Sequence, residues 1–282
     1  MTTIAVTGAT GGVGGRLARR LADAGLEQRL IVRDDTRAPR LHLAEVRVAE
    51  YRDVDASTRA LDGVDVLFMV SASESVDRVE EHRAFVSAAE AAGVQHVVYT
   101  SFFAAAPDSV FTLGRDHWAT EAFLREAGMA TTFLRDNLYT DFLPLLAGND
   151  GVVRGPAADG RLSSVTRDDV AAMAFAAVTN PEAHAGAVYD LTGPESLSLD
   201  EATRIISEVT GRTLRYQDET LDEAYASRAH YGAPDWQVEA WVSTYTAIAS
   251  GELAPVSDDI PRVLGRPAQS LRQFLEAEQP RP

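Results

Sequence analysis

The 282-residue chain contains no cysteine. Disulfides, thiolate metal sites and cysteine nucleophiles are therefore excluded, and a reducing compartment is compatible with the chain. Lysine is absent too, so all 26 basic residues are arginines. Schiff-base and lysine-assisted chemistry are excluded with it. Positive charge is scarce overall, and the net charge is −16. A nucleic-acid binder needs a basic face, so no nucleic acid is expected as a partner. An anionic ligand must instead be held by a local positive pocket, against the field of the whole protein. No apolar run approaches the ~18–20 residues of a membrane span. The sequence runs at once into Thr3-Ile4-Ala5-Val6, so no signal peptide is expected. The expectation is a soluble, cytoplasmic protein with no membrane partner. Apolar residues at 45% and charged residues at 24% are an ordinary globular balance. At ~150 residues per domain, the length suggests roughly two units.

Apolar periodicity predicts alternating strands and helices over residues 3 to 135. Strands are expected at Ile4–Thr7, Leu30–Val32, Val46–Val48, Val64–Val70, Val97–Thr100 and Thr131–Leu134. Helices are expected from Arg16 to Ala24, after Asp55 with Ser57 and Thr58 as candidate caps, from Val76 to Ala92, and from Trp118 to Glu126. Such alternation implies parallel strands joined by right-handed crossovers. Beyond Arg135 the pattern is irregular: a helix at Asp169–Val178, a strand at Ala187–Leu191, a helix at Leu199–Val209, and helices and loops after Leu221. The tail Gln279–Pro282 is expected to fray. The predicted fold is α/β, a Rossmann-type doubly wound parallel sheet with a smaller, mainly helical C-terminal substrate lobe. Residues 1–135, completed by about 164–192, form the dinucleotide-binding domain, and 136–163 with 193–282 form the lobe.

Gly8-Ala9-Thr10-Gly11-Gly12-Val13-Gly14 follows the first strand directly and opens a helix. Gly8 permits the tight turn, Gly11 lets backbone N–H groups approach a pyrophosphate, and Gly14 lets the helix pack closely on the sheet. The helix N-terminus favours the phosphates. Gly8, Thr10, Gly11, Gly12, Val13 and Gly14 are thus the first cofactor-binding candidates. The second strand ends at Arg33, where an NAD-binding protein keeps an acid for the ribose 2′-hydroxyl. An arginine there suits a 2′-phosphate, and Arg37 can close over the same group. NADP(H) is therefore expected in preference to NAD(H), although Asp34 and Asp35 beside them weaken the field and two solvated arginines would read alike.

The glycine turn and Val32-Arg33-Asp34 resemble those of the atypical short-chain dehydrogenase/reductases of the NmrA-like group. Phe133-Leu134-Arg135-Asp136-Asn137-Leu138-Tyr139-Thr140-Asp141-Phe142 and Ser164-Val165-Thr166-Arg167-Asp168-Asp169 resemble the branch that contains triphenylmethane reductase and NADPH quinone oxidoreductase 2. The likeness runs nearly end to end. Glu50 and Tyr51, leaving the third strand, resemble the family's adenine-side stretch. Ser71, Ala72 and Ser73 leave the fourth strand near the expected path of the cofactor ribose. Ser101 follows the fifth strand, where the standard family keeps a catalytic serine. That family's Tyr-x-x-x-Lys pair is impossible here. Counting back from Glu121, its lysine slot falls on His117 and its tyrosine slot on Leu113. His117, with a pKa expected near neutrality, is a candidate to orient the nicotinamide ribose or deliver a proton. By the resemblance, Asn137 and Tyr139 reach the nicotinamide end and the substrate.

Phe102 and Phe103 would floor a pocket for a flat conjugated acceptor, with His117 and Tyr139 beside it. Core packing explains one of the two phenylalanines at least as well. Asp168 and Asp169 read as a helix N-cap and a first-turn acid rather than as metal ligands. His42, His82, His96, His184 and His230 lack metal-ligand spacing and read as surface or packing residues. The expected activity is NADPH-dependent reduction of an electron-poor aromatic acceptor such as a quinone. The alternatives are an NADP(H)-binding redox sensor of NmrA type and a tailoring oxidoreductase or monooxygenase of aromatic natural products. The partner is a small aromatic substrate, and the chain is expected to be a monomer or homodimer.

Overall fold

The computed structural model describes residues 2–279. The expectation of a frayed tail therefore falls largely on 280–282, outside the described residues. In chain order the elements begin with β1 Ile4–Thr7, α1 Gly12–Asp23, β2 Gln28–Val32, β3 Ala44–Val48, α2 Val54–Leu61 and β4 Val66–Met69. Next come α3 Arg78–Ala91, β5 His96–Phe102, α4 Thr112–Glu126 and β6 Ala130–Asp136. β7 Val152–Gly155, β8 Arg161–Leu162, α5 Arg167–Thr179, α6 Pro181–His184, β9 Val188–Leu191 and β10 Leu197–Ser198 follow. The chain then runs through α7 Leu199–Thr210, β11 Arg215–Asp218, α8 Leu221–Arg228, α9 Asp235–Ser250, α10 Asp259–Leu264 and α11 Leu271–Glu278.

Seven strands form one sheet in the order β3-β2-β1-β4-β5-β6-β9. The pairs β2/β3, β1/β2, β1/β4 and β4/β5 are parallel. The order reverses at β1, whose neighbours are β2 and β4. A doubly wound sheet leaves a crevice for ligands at the carboxyl end of such a strand, and the glycine turn begins there. Backbone contacts divide the chain into a first unit, residues 1–102, 116–135 and 167–189, and a second, residues 103–115, 136–166 and 190–282. Residues 103–115 thus group with the second unit rather than with 1–102.

The first unit closes over an apolar core. Leu61, Leu67, Met69, Phe85, Val97, Tyr99, Leu124 and Phe133 meet there, each at most 2% exposed. A fully buried side chain such as Phe85 contributes about 1.5–3 kcal/mol. Tyr51 stacks on Phe85 at 4.1 Å between ring centres. In α1, Val13, Leu17, Ala18 and Leu21 turn inward at helical spacing.

Several boundaries differ from the sequence expectation for physical reasons. The cap of α2 is Asp53, whose carboxylate accepts from Ala56 N–H at 2.9 Å; Asp55 lies in the first turn. Helix α4 starts at Thr112 rather than Trp118, and Ser243 Oγ accepts the Thr112 N–H at 3.2 Å. A cap supplied from 131 positions away leaves no local signal. Helix α5 starts at Arg167, so Asp168 and Asp169 both stand in its first turn.

The second unit contains α7 to α11 but is less purely helical than expected. It holds the parallel pair β7/β11 and the antiparallel pair β8/β10. Strands of two residues, and the exposed, polar Arg215–Asp218, carry too little period-two signal to be read. The caps of α7 are local: Ser198 and Glu201 form a reciprocal capping box. No described helix is long and apolar enough to cross a membrane.

Candidate dinucleotide site and its buried polar network

The turn after β1 is built around its glycines. Gly8 has φ +62°, a conformation that side chains disfavour, and a Cβ there would meet Val70 at 3.1 Å. Gly14 sits against backbone: a Cβ would lie 2.5 Å from the Thr7 and Gly8 carbonyl oxygens. Gly11 caps α1 and its N–H donates to the Gly8 carbonyl at 2.8 Å. Gly11 and Thr10 are exposed, Gly12 is half-buried and Val13 is buried in the core. The first turn of α1 opens to solvent at Gly11. That cradle fits a pyrophosphate, because helix N-terminal N–H groups carry partial positive charge. Two guanidiniums, neither evident from sequence, flank it. Arg16 Nη1 donates to the Gly12 carbonyl at 2.8 Å. Arg167 crosses Gly12 so closely that a Cβ would lie 2.6 Å from its Cδ.

Arg33 follows β2, and Arg37 lies one turn further on; both are exposed. Neither guanidinium enters an ion pair among the described residues. Asp34 caps the turn between them, accepting from Thr36 N–H at 2.9 Å and Thr36 Oγ1 at 2.6 Å. Those hydrogen bonds, and then Arg37, hold its carboxyl below the usual value. Glu50 is exposed, and its carbonyl accepts from Ser57 Oγ at 3.0 Å. Tyr51 donates its hydroxyl hydrogen to the Val70 carbonyl at 2.6 Å and meets Thr7 Oγ1 at 2.7 Å, tying β1 to β4. Burial raises its pKa, opposed by Thr7 and by the Arg33 charge.

The exit from β4 is gripped from below. Ser71 N–H donates to Thr100 Oγ1 at 3.0 Å, and Ala72 N–H donates to His82 Nε2 at 2.8 Å. Ser73, one residue on, is exposed. Arg78 Nε donates to the Ala72 carbonyl at 3.0 Å. The same guanidinium reaches His117 Nε2 at 3.0 Å, and His117 Nδ1 faces Tyr99 Oη at 3.0 Å. The ring of Phe102 lies 6.0 Å from that imidazole. His117 is 6% exposed. Burial first, then the Arg78 and His82 charges, drive its pKa well below 6.5. The expectation of a near-neutral pKa is therefore corrected. Burial likewise lowers His82 to about 3.

Ser101 is turned into the protein rather than outward. Its hydroxyl donates to Glu121 Oε1 at 2.5 Å. That fully buried carboxylate also accepts from Arg135 Nε at 2.8 Å, Arg135 Nη2 at 2.7 Å and Arg125 Nη2 at 2.8 Å. Asp168 pairs with Arg20 at 2.8 Å. No group of three metal-ligating side chains occurs among the described residues.

In the second unit, Asn137 is 1% exposed. Its amide donates to Ser163 Oγ and to the Leu253 carbonyl, both at 3.0 Å, while its Oδ1 accepts from Leu138 N–H at 2.8 Å. It pins three segments together. Tyr139 is half-buried and donates to Asp136 Oδ2 at 2.8 Å. Phe103 is 6% exposed, and its N–H donates to the Asp136 carbonyl at 2.9 Å.

Arg78, His82, Tyr99, Thr120 and Glu121 join the candidate site through structure alone. A signal existed in part: Arg78 and His82 stand four apart on α3, and His117 and Glu121 four apart on α4, which puts each pair on one helix face.

Comparison with known proteins places the chain in a family. The NmrA-like family model matches residues 1–238. An NAD(P)H azoreductase of Xenophilus azovorans is 33% identical over 279 residues, covering 97% of each chain. The crystal structure of an NADPH-dependent quinone oxidoreductase from Escherichia coli, complexed with NADPH, is 31% identical with a TM-score of 0.88, covering 97% of this chain and 99% of that one. Citrobacter sp. triphenylmethane reductase complexed with NADP(H) is 30% identical with a TM-score of 0.85, covering 98% of this chain and 100% of that one. The match to the family model over most of the sequence, and these relatives over nearly all of it, show that the chain belongs to the NmrA-like family.

Proposed function

We propose that the chain is an NADPH-dependent reductase of flat, electron-poor aromatic acceptors such as quinones. The carrying observation is the glycine cradle at Gly8, Gly11 and Gly14, in a chain 31% identical to a quinone oxidoreductase complexed with NADPH. Gly8 to Gly14 hold the pyrophosphate, with Arg16 and Arg167 adding charge beside Gly12. In a chain of net charge −16, that local concentration of guanidinium opposes the general field. Arg33, with Arg37, takes the 2′-phosphate and sets the preference for NADPH over NADH. When bound, the dinucleotide supplies a hydride.

The residues of the chain bind and orient. Tyr51 braces the β1 and β4 ends that border the crevice. Ser71, Ala72 and Ser73 line the ribose path, held in shape by His82 and Arg78. Phe102 and His117 offer the acceptor a largely apolar surface. Neither histidine nor tyrosine is set up as an acid: His117 has both ring nitrogens engaged, and Tyr139 gives its hydrogen to Asp136. A quinone that accepts hydride becomes a hydroquinone anion, which a solvent proton completes. A cationic dye accepts hydride to give a neutral product and needs no proton. Both acceptor types are compatible with a site lacking a buried acid.

The test is loss of reduced-nicotinamide absorbance when purified protein meets NADPH and a simple quinone. The expected result is turnover that requires both. Tight NADPH binding without reduction of any quinone or dye would instead favour a redox sensor.

A further inference from the structure

With no lysine in the chain, any fixed cation inside it is an arginine. Arg78 is such a cation, with its side chain 5% exposed at the first residue of α3. Its Nε holds the Ala72 carbonyl at 3.0 Å, its Nη1 faces Asp116 Oδ2 at 3.3 Å, and its Nη2 meets His117 Nε2 at 3.0 Å. A guanidinium carries five N–H donors and no acceptor. His117 Nε2 must therefore be the bare nitrogen, and the ring proton lies on Nδ1, towards Tyr99 Oη.

His82 is fixed by the same logic. The Ala72 N–H can only donate, so His82 Nε2 is bare and Nδ1–H donates to Thr120 Oγ1 at 2.7 Å. Thr120 passes its own hydrogen to the Asp116 carbonyl at 2.8 Å. Ala72 is thus held by both its carbonyl and its N–H, and the two histidines are locked as neutral Nδ1–H tautomers around one buried charge. Three of the five Arg78 N–H groups have these partners; buried donors beyond them call for an acceptor.

We propose that Arg78 is the positioning residue of the reducing site. It fixes the tautomer of His117 and supplies the fixed positive charge that favours an anion formed on the acceptor. The assignment rests on the reading of Phe102 and His117 as the acceptor's side of the first unit. The groups that act on His117 are Arg78 and His82 from α3 and Tyr99 and the Thr100 backbone from β5, with Asp116 beside it on its own helix. The carboxyl of Asp116 is raised by burial against the opposing pull of Arg78. Asp116 meets only Nη1, at 3.3 Å, and its side chain is 24% exposed, so solvent screens the carboxylate more than the buried guanidinium.

Two measurements test this. Nitrogen-15 NMR of the histidine-labelled apoprotein reads the His117 tautomer without any turnover. The expected result is a protonated Nδ1 and bare Nε2, unchanged between pH 8 and about 5.5; an Nε2–H tautomer, or titration near the ordinary 6.5, would overturn the proposal. The second compares wild type with Arg78→Met and Arg78→Lys on a neutral quinone and a cationic dye. Arg78→Met is expected to lower kcat on the quinone by ~10–100-fold, less than the loss of a direct oxyanion donor, and on the dye by under ~3-fold. Rates are compared at saturating NADPH, because release of the Ala72 carbonyl also loosens the ribose path, and Arg78→Lys recovers part of the quinone rate. Equal losses on both acceptors, or a change in KM alone, would mean that Arg78 only holds the fold and would overturn its electrostatic role. If the variants fail to fold, the wild-type tautomer still decides. If the protein reduces no acceptor, the proposed function fails while the tautomer still judges Arg78.

Discussion

Tyr139 donates its hydroxyl hydrogen to the carboxylate of Asp136, 5% exposed, across 2.8 Å. A phenol so committed is a poor acid, because its phenolate would face a carboxylate. Tyr139→Phe should therefore lower kcat on a neutral quinone by less than about tenfold, against the ~10²–10⁴-fold expected of a proton donor. The same change takes one donor from a buried charge and should cost about 1–3 kcal/mol of stability. Steady-state rates and urea denaturation of the variant check both. A thousandfold loss of kcat with unchanged stability would restore Tyr139 as the acid.

Arg33 stands exposed beyond β2, with Arg37 one turn away. If it holds a 2′-phosphate, Arg33→Ala should weaken NADPH binding by at least tenfold, as expected for a charge-assisted contact of ~1.5–3 kcal/mol. NADH binding should barely change. Calorimetric titration with both nucleotides measures the difference, and equal losses would show that Arg33 reads no phosphate.

Gly14→Ala tests the cradle. The added methyl would lie 2.5 Å from two backbone oxygens, so β1 and α1 must separate. Binding of NADPH and NADH should fall together, and the melting temperature should drop, since backbone cannot yield as a side-chain tip can. A variant with wild-type affinity for both nucleotides would refute the close packing.

Stability should depend on pH through the buried histidines. His82 is lowered from 6.5 to about 3, and His117 shifts the same way. Below pH 6.5 the unfolded chain binds protons that the folded one refuses. The stabilisation is therefore complete above that pH and is lost as pH falls towards the folded pKa. Two such groups should cost about 2 kcal/mol between pH 6 and 5. Denaturant titrations at the two pH values measure this. His82→Gln should remove about half the dependence, and a flat profile in wild type would contradict the neutral, buried network.

The parts of the fold that were legible in the sequence are those fixed locally. Gly8, Gly11 and Gly14 announce their turn because the backbone conformation, the strand before it and the helix after it all lie within a few residues. The parallel alternation over 3–135 follows from apolar periodicity for the same reason. What escaped depends on distant partners. Ser101 sits where a reactive hydroxyl is expected, yet Glu121, Arg125 and Arg135 from α4 and β6 claim its environment. Asn137 follows β6 as expected, but Ser163 and Leu253 take up its amide. Arg78 carries no local mark in the sequence, and only the convergence of α3, α4 and the β4 exit buries it. Histidine pKa values are legible from structure alone, because burial sets them.

The central claim is direct reduction of an acceptor by NADPH on this chain. The most direct measurement uses NADPH doubly deuterated at its transferring carbon and a cationic triphenylmethane dye, with mass spectrometry of the colourless product. Carbon-bound deuterium does not exchange with water, so the label reports the transfer itself. The account predicts a product carrying one deuterium from the nucleotide. A product without deuterium, or no product from protein that binds NADPH, would contradict it.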